Sequence, residues 1–263
     1  MYYREYLPHP ALATHVACVW AARAPGSAHT HRVLPDNCVD MLWQDVSDQG
    51  FAVGMMSSAI LVASDQPVRT LAVRFKPGMA AAFLATPLQT LTDQRADIDQ
   101  LWGRSDADRL ADALWTSSAP ERAQLAIIEH ELLRRLRVGV GTGAGTGANT
   151  QRGEALVQNA LAALEASGGG LRVEDLAAAL RVSRQHLAAQ FRQHVGLSPK
   201  LYARICRFRR ATAAIASIAA GPPDWAGLAQ ACGYFDQSHL IHDFQEFSGS
   251  PPERFHFSNR DAG

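Results

Sequence analysis

The chain lacks the surplus of basic residues that usually marks a nucleic-acid binder: 25 Lys and Arg are matched by 25 Asp and Glu. Any case for such a partner must therefore rest on local charge. Cysteine is scarce as well. Cys18, Cys38, Cys206 and Cys232 stand far apart with no C-x-x-C pair, which argues against a disulfide framework and suits free thiols in a reducing compartment. No apolar run approaches membrane-spanning length, and the N-terminus has neither the basic nor the apolar region of a signal peptide. A cytoplasmic protein with no membrane partner is expected. Nucleophile-elbow, phosphate-loop and zinc-hydrolase motifs are missing too, so the chain reads as a non-enzyme needing no cofactor.

What is present divides in two. A length of 263 residues, 47% hydrophobic, is enough for two cores. Residues 139–150 alternate Gly with small residues and have nothing to bury, the composition of a tether. The expected layout is an N-terminal domain over 1–137, a flexible linker over 138–153 and a second domain over 154–257. The fold class is α+β: a mostly-β first domain with helices, then an all-α domain. In the first, Leu71, Val73 and Phe75 alternate on one strand face, and residues 39–43 form another strand. A helix opening at Pro120 carries Leu125, Ile128, Leu132 and Leu136 at helical spacing.

The informative feature downstream is an internal repeat. A step of 53 carries Leu187 to Leu240, Phe191 to Phe244, Gly196 to Gly249, Pro199 to Pro252 and Tyr202 to Phe255. A step of 52 carries Leu176-Ala177 to Leu228-Ala229, so the second copy holds one extra residue in its turn. Each copy reads as a short helix, a tight turn and a second helix capped by Ser183 or Asp236. That is the helix-turn-helix plan, with residues 201–219 as the long helix between copies.

Two motifs carry a family resemblance. Ser183-x-x-x-Leu187-x-x-x-Phe191-x-x-x-x-Gly196-x-Ser198-Pro199 resembles the first unit of the AraC/XylS family of bacterial regulators. The run from Gly233 to Phe244, followed by Gly249-x-Pro251-Pro252, resembles that family's second unit. The resemblance implies two helix-turn-helix units, each placing one recognition helix in successive major-groove segments. Its implied partners are double-stranded DNA and, beyond that, RNA polymerase, a small effector of unknown identity and a second copy of the chain. Residues 34–40 and 73–78 resemble, more weakly, a sensor-like domain found in some members.

Within 181–210 there are eight basic side chains and no acid. These would neutralise phosphates and release counterions. Base readout needs outward polar side chains. The candidate DNA contacts are Ser183, Arg184, Gln185, His186, Arg192, Lys200 and Arg207 in the first unit and its connecting helix. In the second they are Gln237, Ser238, His239 and His242. Ala189 and His242 stand where the family usually has a polar residue and Arg, and Arg181 where its turn usually has Gly. Residues 224–254 carry five acids against one base. These differences predict a division of labour: phosphate anchoring by the first unit, base discrimination by the second. Trp20, Trp43 and Phe75 are candidates for an apolar effector pocket. His29, His31 and Cys38 have ligand-like types, with His29 and His31 sharing a strand face. They support an alternative reading, a metal-dependent cupin-like enzyme domain fused to a DNA-binding tail.

Overall fold

The computed structural model describes residues 2–26, 30–47, 49–84, 86–116, 119–142, 148–218 and 223–255. The first half is built on an antiparallel sheet. Its strands in chain order are β1 (Tyr2–Tyr6), β2 (Val16–Ala24), β3 (His31–Val33), β4 (Val39–Gln44), β5 (Phe51–Val53), β6 (Ile60–Val62), β7 (Val68–Phe75) and β8 (Arg95–Asp97). Six of them form one sheet in the order β1-β2-β7-β4-β5-β8, and β3 pairs with β6 in a separate ribbon. The alternation of β7 does what its pattern predicts: Leu71, Val73 and Phe75 are buried in the main core, while Ala72 faces the other side of the sheet.

Helices cover the core face. A short α1 (Ala81–Leu84), α2 (Ile98–Trp102) and α3 (Arg104–Trp115) lead to α4 (Glu121–Thr142). Leu125, Ile128 and Leu132 of α4 are fully buried, because this helix packs against β2, β7, α1 and α3 of its own domain. Next come α5 (Ala148–Ala166), α6 (Val173–Ala179), α7 (Arg184–Val195), α8 (Pro199–Ala216), α9 (Trp225–Ala231) and α10 (Gln237–Ser248). The tether assigned to 138–153 is narrower than its composition suggests. Helix α4 runs on to Thr142 and α5 begins at Ala148, both extended by hydrogen-bonding continuity from well-packed turns on either side. The remaining residues, 143–147, lie outside the described ones. No described helix is long and apolar enough to cross a membrane.

The two halves share one core, with residues of β4, β7, α4, α5, α7 and α8 in a single buried cluster. Close contacts around Asn37, Thr92 and Gly196 join them. Asn37, in the left-handed region at φ 63°, donates its buried amide to the Tyr202 carbonyl at 3.2 Å and to Cys206 Sγ at 3.3 Å. Thr92 Oγ1 donates to the Gly196 carbonyl at 2.6 Å. Gly196 itself is left-handed and so close to residue 88 that a Cβ would lie 3.0 Å from the Leu88 carbonyl oxygen. His194, buried beside this contact, is shifted down by desolvation, with a smaller opposing pull from Glu154.

Helix α8 is the strut of the second half. Ser198 caps it and Pro199 opens it, where the missing N–H costs nothing. Its link to α10 is ionic. Arg204 donates to Asp243 Oδ1 at 2.6 Å and to Glu246 Oε2 at 2.6 Å, and its guanidinium lies 4.8 Å from the Phe247 ring centroid. Asp243 is completely buried, so Arg204 is the partner that makes its charge tolerable there. Hydrogen bonds donated to Glu246 and then Asp243 push the guanidinium further towards its charged form, and Arg204 in turn pulls the Glu246 carboxyl down.

Two outcomes follow. Arg204→Met should cost about 3 kcal/mol by stranding the buried Asp243 charge, and Asp243→Asn in the same chain should recover part of it, read by urea unfolding. For His194 the folded form favours the neutral ring, so its contribution is complete above the ordinary value of 6.5 and shrinks as pH falls below it. Melting temperature should therefore drop between about pH 6.5 and pH 5, and His194→Gln should flatten that slope.

Candidate nucleic-acid interface

The two copies of the repeat fold alike, element for element. Helices α6 and α9 each have seven residues and are offset by 52, and α7 and α10 each have twelve and are offset by 53. The Ser183 hydroxyl accepts the His186 N–H at 3.1 Å, and Asp236 Oδ1 accepts the His239 N–H at 2.8 Å. Gly196 and Gly249 both end their helices in the left-handed region. Leu187 and Phe191 in one unit, and Leu240 and Phe244 in the other, turn inward and are fully buried.

The turns differ. Arg181 is left-handed at φ 56° where Gly233 stands at φ 82° in the second copy. A left-handed conformation on a residue with a Cβ costs about 1 kcal/mol, which the surrounding turn must hold in place. The Val182 N–H bonds back to the Ala177 carbonyl just as Tyr234 bonds to Ala229, still 52 apart. The caps are 53 apart. The inserted residue is therefore Phe235, and its side chain is 92% exposed.

With the inward residues fixed, helical geometry sets the outward ones. On α7 these are Arg184, Gln185, His186, Ala189, Arg192 and Gln193, all exposed. On α10 they are Ser238, His239, His242 and Gln245, with Gln237 half-buried and Ile241 exposed beside it. Of the sequence-predicted residues of the two helices, Arg184, Gln185, His186, Arg192, Ser238, His239 and His242 thus lie exposed, and Gln237 is half-buried at their edge. Arg184 makes one exposed ion pair with Glu174 at 3.3 Å, weak enough to yield to a phosphate. Arg181, Arg192 and Lys200 are exposed and form no ion pair among the described residues. His239 combines two roles, since its backbone takes the cap and its ring stands edge-on to Tyr234 at 6.0 Å.

Three sequence expectations are corrected. Arg207 is not part of an outward phosphate-binding face. It donates to the Gly169 carbonyl at 2.7 Å and lies over the Tyr234 ring, because its turn of α8 faces the protein. Arg204, counted in the same basic run, is likewise committed to Asp243 and Glu246. Trp20, Trp43 and Phe75 do not converge on a pocket. Trp43 and Phe75 are packed solid in the main core, whereas Trp20 lies on the opposite sheet face with Cys18 and Ala72. Finally, His31 and Cys38 belong to no group of three ligand-type side chains among the described residues, and His29 lies outside them. Burial pushes the Cys38 thiol up.

The acidic character of residues 224–254 proves local and largely spent. Asp224 and Asp236 cap α9 and α10. Asp243 and Glu246 share the Arg204 guanidinium, which offsets one of their two charges. With His242 they form a trio whose ligand atoms lie within 4.8 Å of one another, but the cation between the carboxylates is the guanidinium. The α10 face is thus less repulsive to DNA than its composition suggests. Sequence counting missed this because it cannot tell a capping or paired carboxylate from a free one.

A cleft of about 590 Å³ opens between the halves. Its walls include Leu34, Pro35, Phe208 and Ala213, with Asp36, Glu165 and Arg209 at its polar side. Glu165 and Arg209 face each other at 3.8 Å.

Residues 176–256 match a family described as a helix-turn-helix domain, and residues 4–97 match a domain of unknown function (DUF6597). No curated protein matches the chain. Among solved structures, the chain is similar to ToxT from Vibrio cholerae at 10% identity and a TM-score of 0.45, covering 90% of this chain and 95% of that one. A second ToxT structure, bound to (E)-4-(8-methylnaphthalen-1-yl)but-3-enoic acid, gives 11% and 0.46 over 91% and 97%. A third, bound to an unsaturated fatty acid, gives 12% and 0.44 over 93% and 95%. Two capped units on one strut and the helix-turn-helix match together show that residues 176–256 form a paired helix-turn-helix domain, the plan of a DNA-binding module.

Proposed function

We propose that the protein binds specific operator DNA with α7 and α10, and that its N-terminal domain senses a small effector rather than catalysing a reaction. The observation that carries the reading is the pair of capped twelve-residue helices, offset by 53 and free on their outward faces. The expected contacts remain unequal. Arg181, Arg184, Arg192 and Lys200 supply phosphate neutralisation around the first unit. Gln237, Ser238, His239 and His242 supply base-edge groups in the second, Gln237 being suited to adenine. A DNA partner is consistent with a cytoplasmic protein.

The effector site best supported is the cleft between the halves, because anything bound there touches both residues 34–36 and α8. A ligand would change how the N-terminal domain bears on the strut, and through Arg204 how α10 is held. RNA polymerase and a second copy of the chain are further partners that this arrangement leaves room for.

Three measurements bear on this. Retardation of promoter DNA by the full chain should be specific at physiological salt and fall at least tenfold in an Arg184→Ala/Gln237→Ala double variant. No preference over unrelated DNA would end the proposal. Base-pair swaps under the second unit should cost about 1–3 kcal/mol each, and those under the first distinctly less. Equal losses would show the division of labour to be wrong. Any metabolite that raises the melting temperature should lose its effect in Ala213→Trp, which fills the cleft.

A further inference from the structure

We propose that Ile241, assisted by Phe235, reads thymine C5-methyl groups, so that the half-site under α10 contains an A·T step recognised jointly with Gln237. The inference rests on the reading that α10 enters the major groove.

Two exposed apolar side chains stand near the start of α10, Ile241 in its second turn and Phe235 just before its cap. Ile241 is 38% exposed and Phe235 is 92% exposed. Neither contributes to the core: Leu240, Phe244 and Phe247 fill the inward side and are fully buried. The first unit offers no counterpart. A step of 53 places Ala188 opposite Ile241, and Phe235 is the residue its turn lacks altogether.

Position supplies the occupant. Ile241 stands one helical turn after Gln237, on the same edge of α10. In the major groove an A·T pair offers the adenine N7 and N6 groups beside the thymine O4 and methyl. A Gln spanning the adenine edge therefore leaves a methyl for an apolar side chain one turn away. Phe235 precedes the Asp236 cap, where the backbone enters the helix and the helix dipole is positive. Charge agrees with a DNA occupant, since Asp236 caps its own helix and Asp243 and Glu246 are paired with Arg204.

The test uses the full chain and duplexes selected from a randomised library. In the best of these, each thymine is replaced singly by uracil, which removes the methyl and nothing else. Affinity is read by fluorescence anisotropy at about 0.15 M salt. At one or more thymines under the second unit, uracil should weaken wild type about fourfold, the worth of one buried methyl. Ile241→Ala, on a surface position, should keep wild-type circular dichroism and lose most of that sensitivity. Phe235→Ser should do the same at a neighbouring thymine. Sequence-specific binding that ignores every uracil would overturn the inference while leaving the proposed function standing. So would variants that bind DNA normally but fail only in transcription or self-association, which would reassign the patch to a protein partner. Failure to select any sequence would remove the underlying reading itself.

Discussion

Asp243 has no solvent, and its charge is acceptable only because Arg204 reaches it from α8. Much of the second unit's placement follows from that pairing. The same guanidinium holds Glu246 and lies over Phe247, and beside it Phe208 of α8 packs against Phe244 and Phe247, so the strut grips α10 by charge and by aromatic contact together. A buried ion pair of this kind contributes less to net stability than to uniqueness of arrangement. Here the arrangement is the angle at which the second reading helix is presented.

The repeat was legible because its determinants are local. Caps, helix-ending glycines and inward Leu and Phe residues each act within one or two turns, and their spacing survives in the sequence. Even the extra residue of the second turn could be counted, although only the hydrogen bonds of Val182 and Tyr234 identify it as Phe235. The N-terminal strands were legible for the same reason, since Leu71, Val73 and Phe75 alternate on a half-buried surface.

Other features were hidden because they depend on partners far along the chain. Nothing near Arg207 foretells the Gly169 carbonyl, and nothing near Arg204 foretells Asp243. Eight basic residues without an acid read as one patch, yet part of that charge is spent on internal partners. Trp20 and Trp43 likewise sit on strands that flank β7 in one sheet, and only strand pairing shows that they face opposite ways. Composition near the tether misled in a similar manner: small residues do not favour a helix, but they do not forbid one that flanking turns already propagate.

Asn37 carries an evolutionary consequence. Residues 34–40 and 73–78, the segments by which the first domain resembles a sensor, are also where it meets the second. Asn37 grips α8, and a Cβ on Gly78 would press on Gln158 and Leu161 of α5. Exchange of front domains among relatives is thus not a matter of cutting at a glycine-rich stretch. A graft would have to bring its own amide to the Tyr202 carbonyl and its own bare backbone to α5. Such a seam favours long co-inheritance of the two halves over free shuffling.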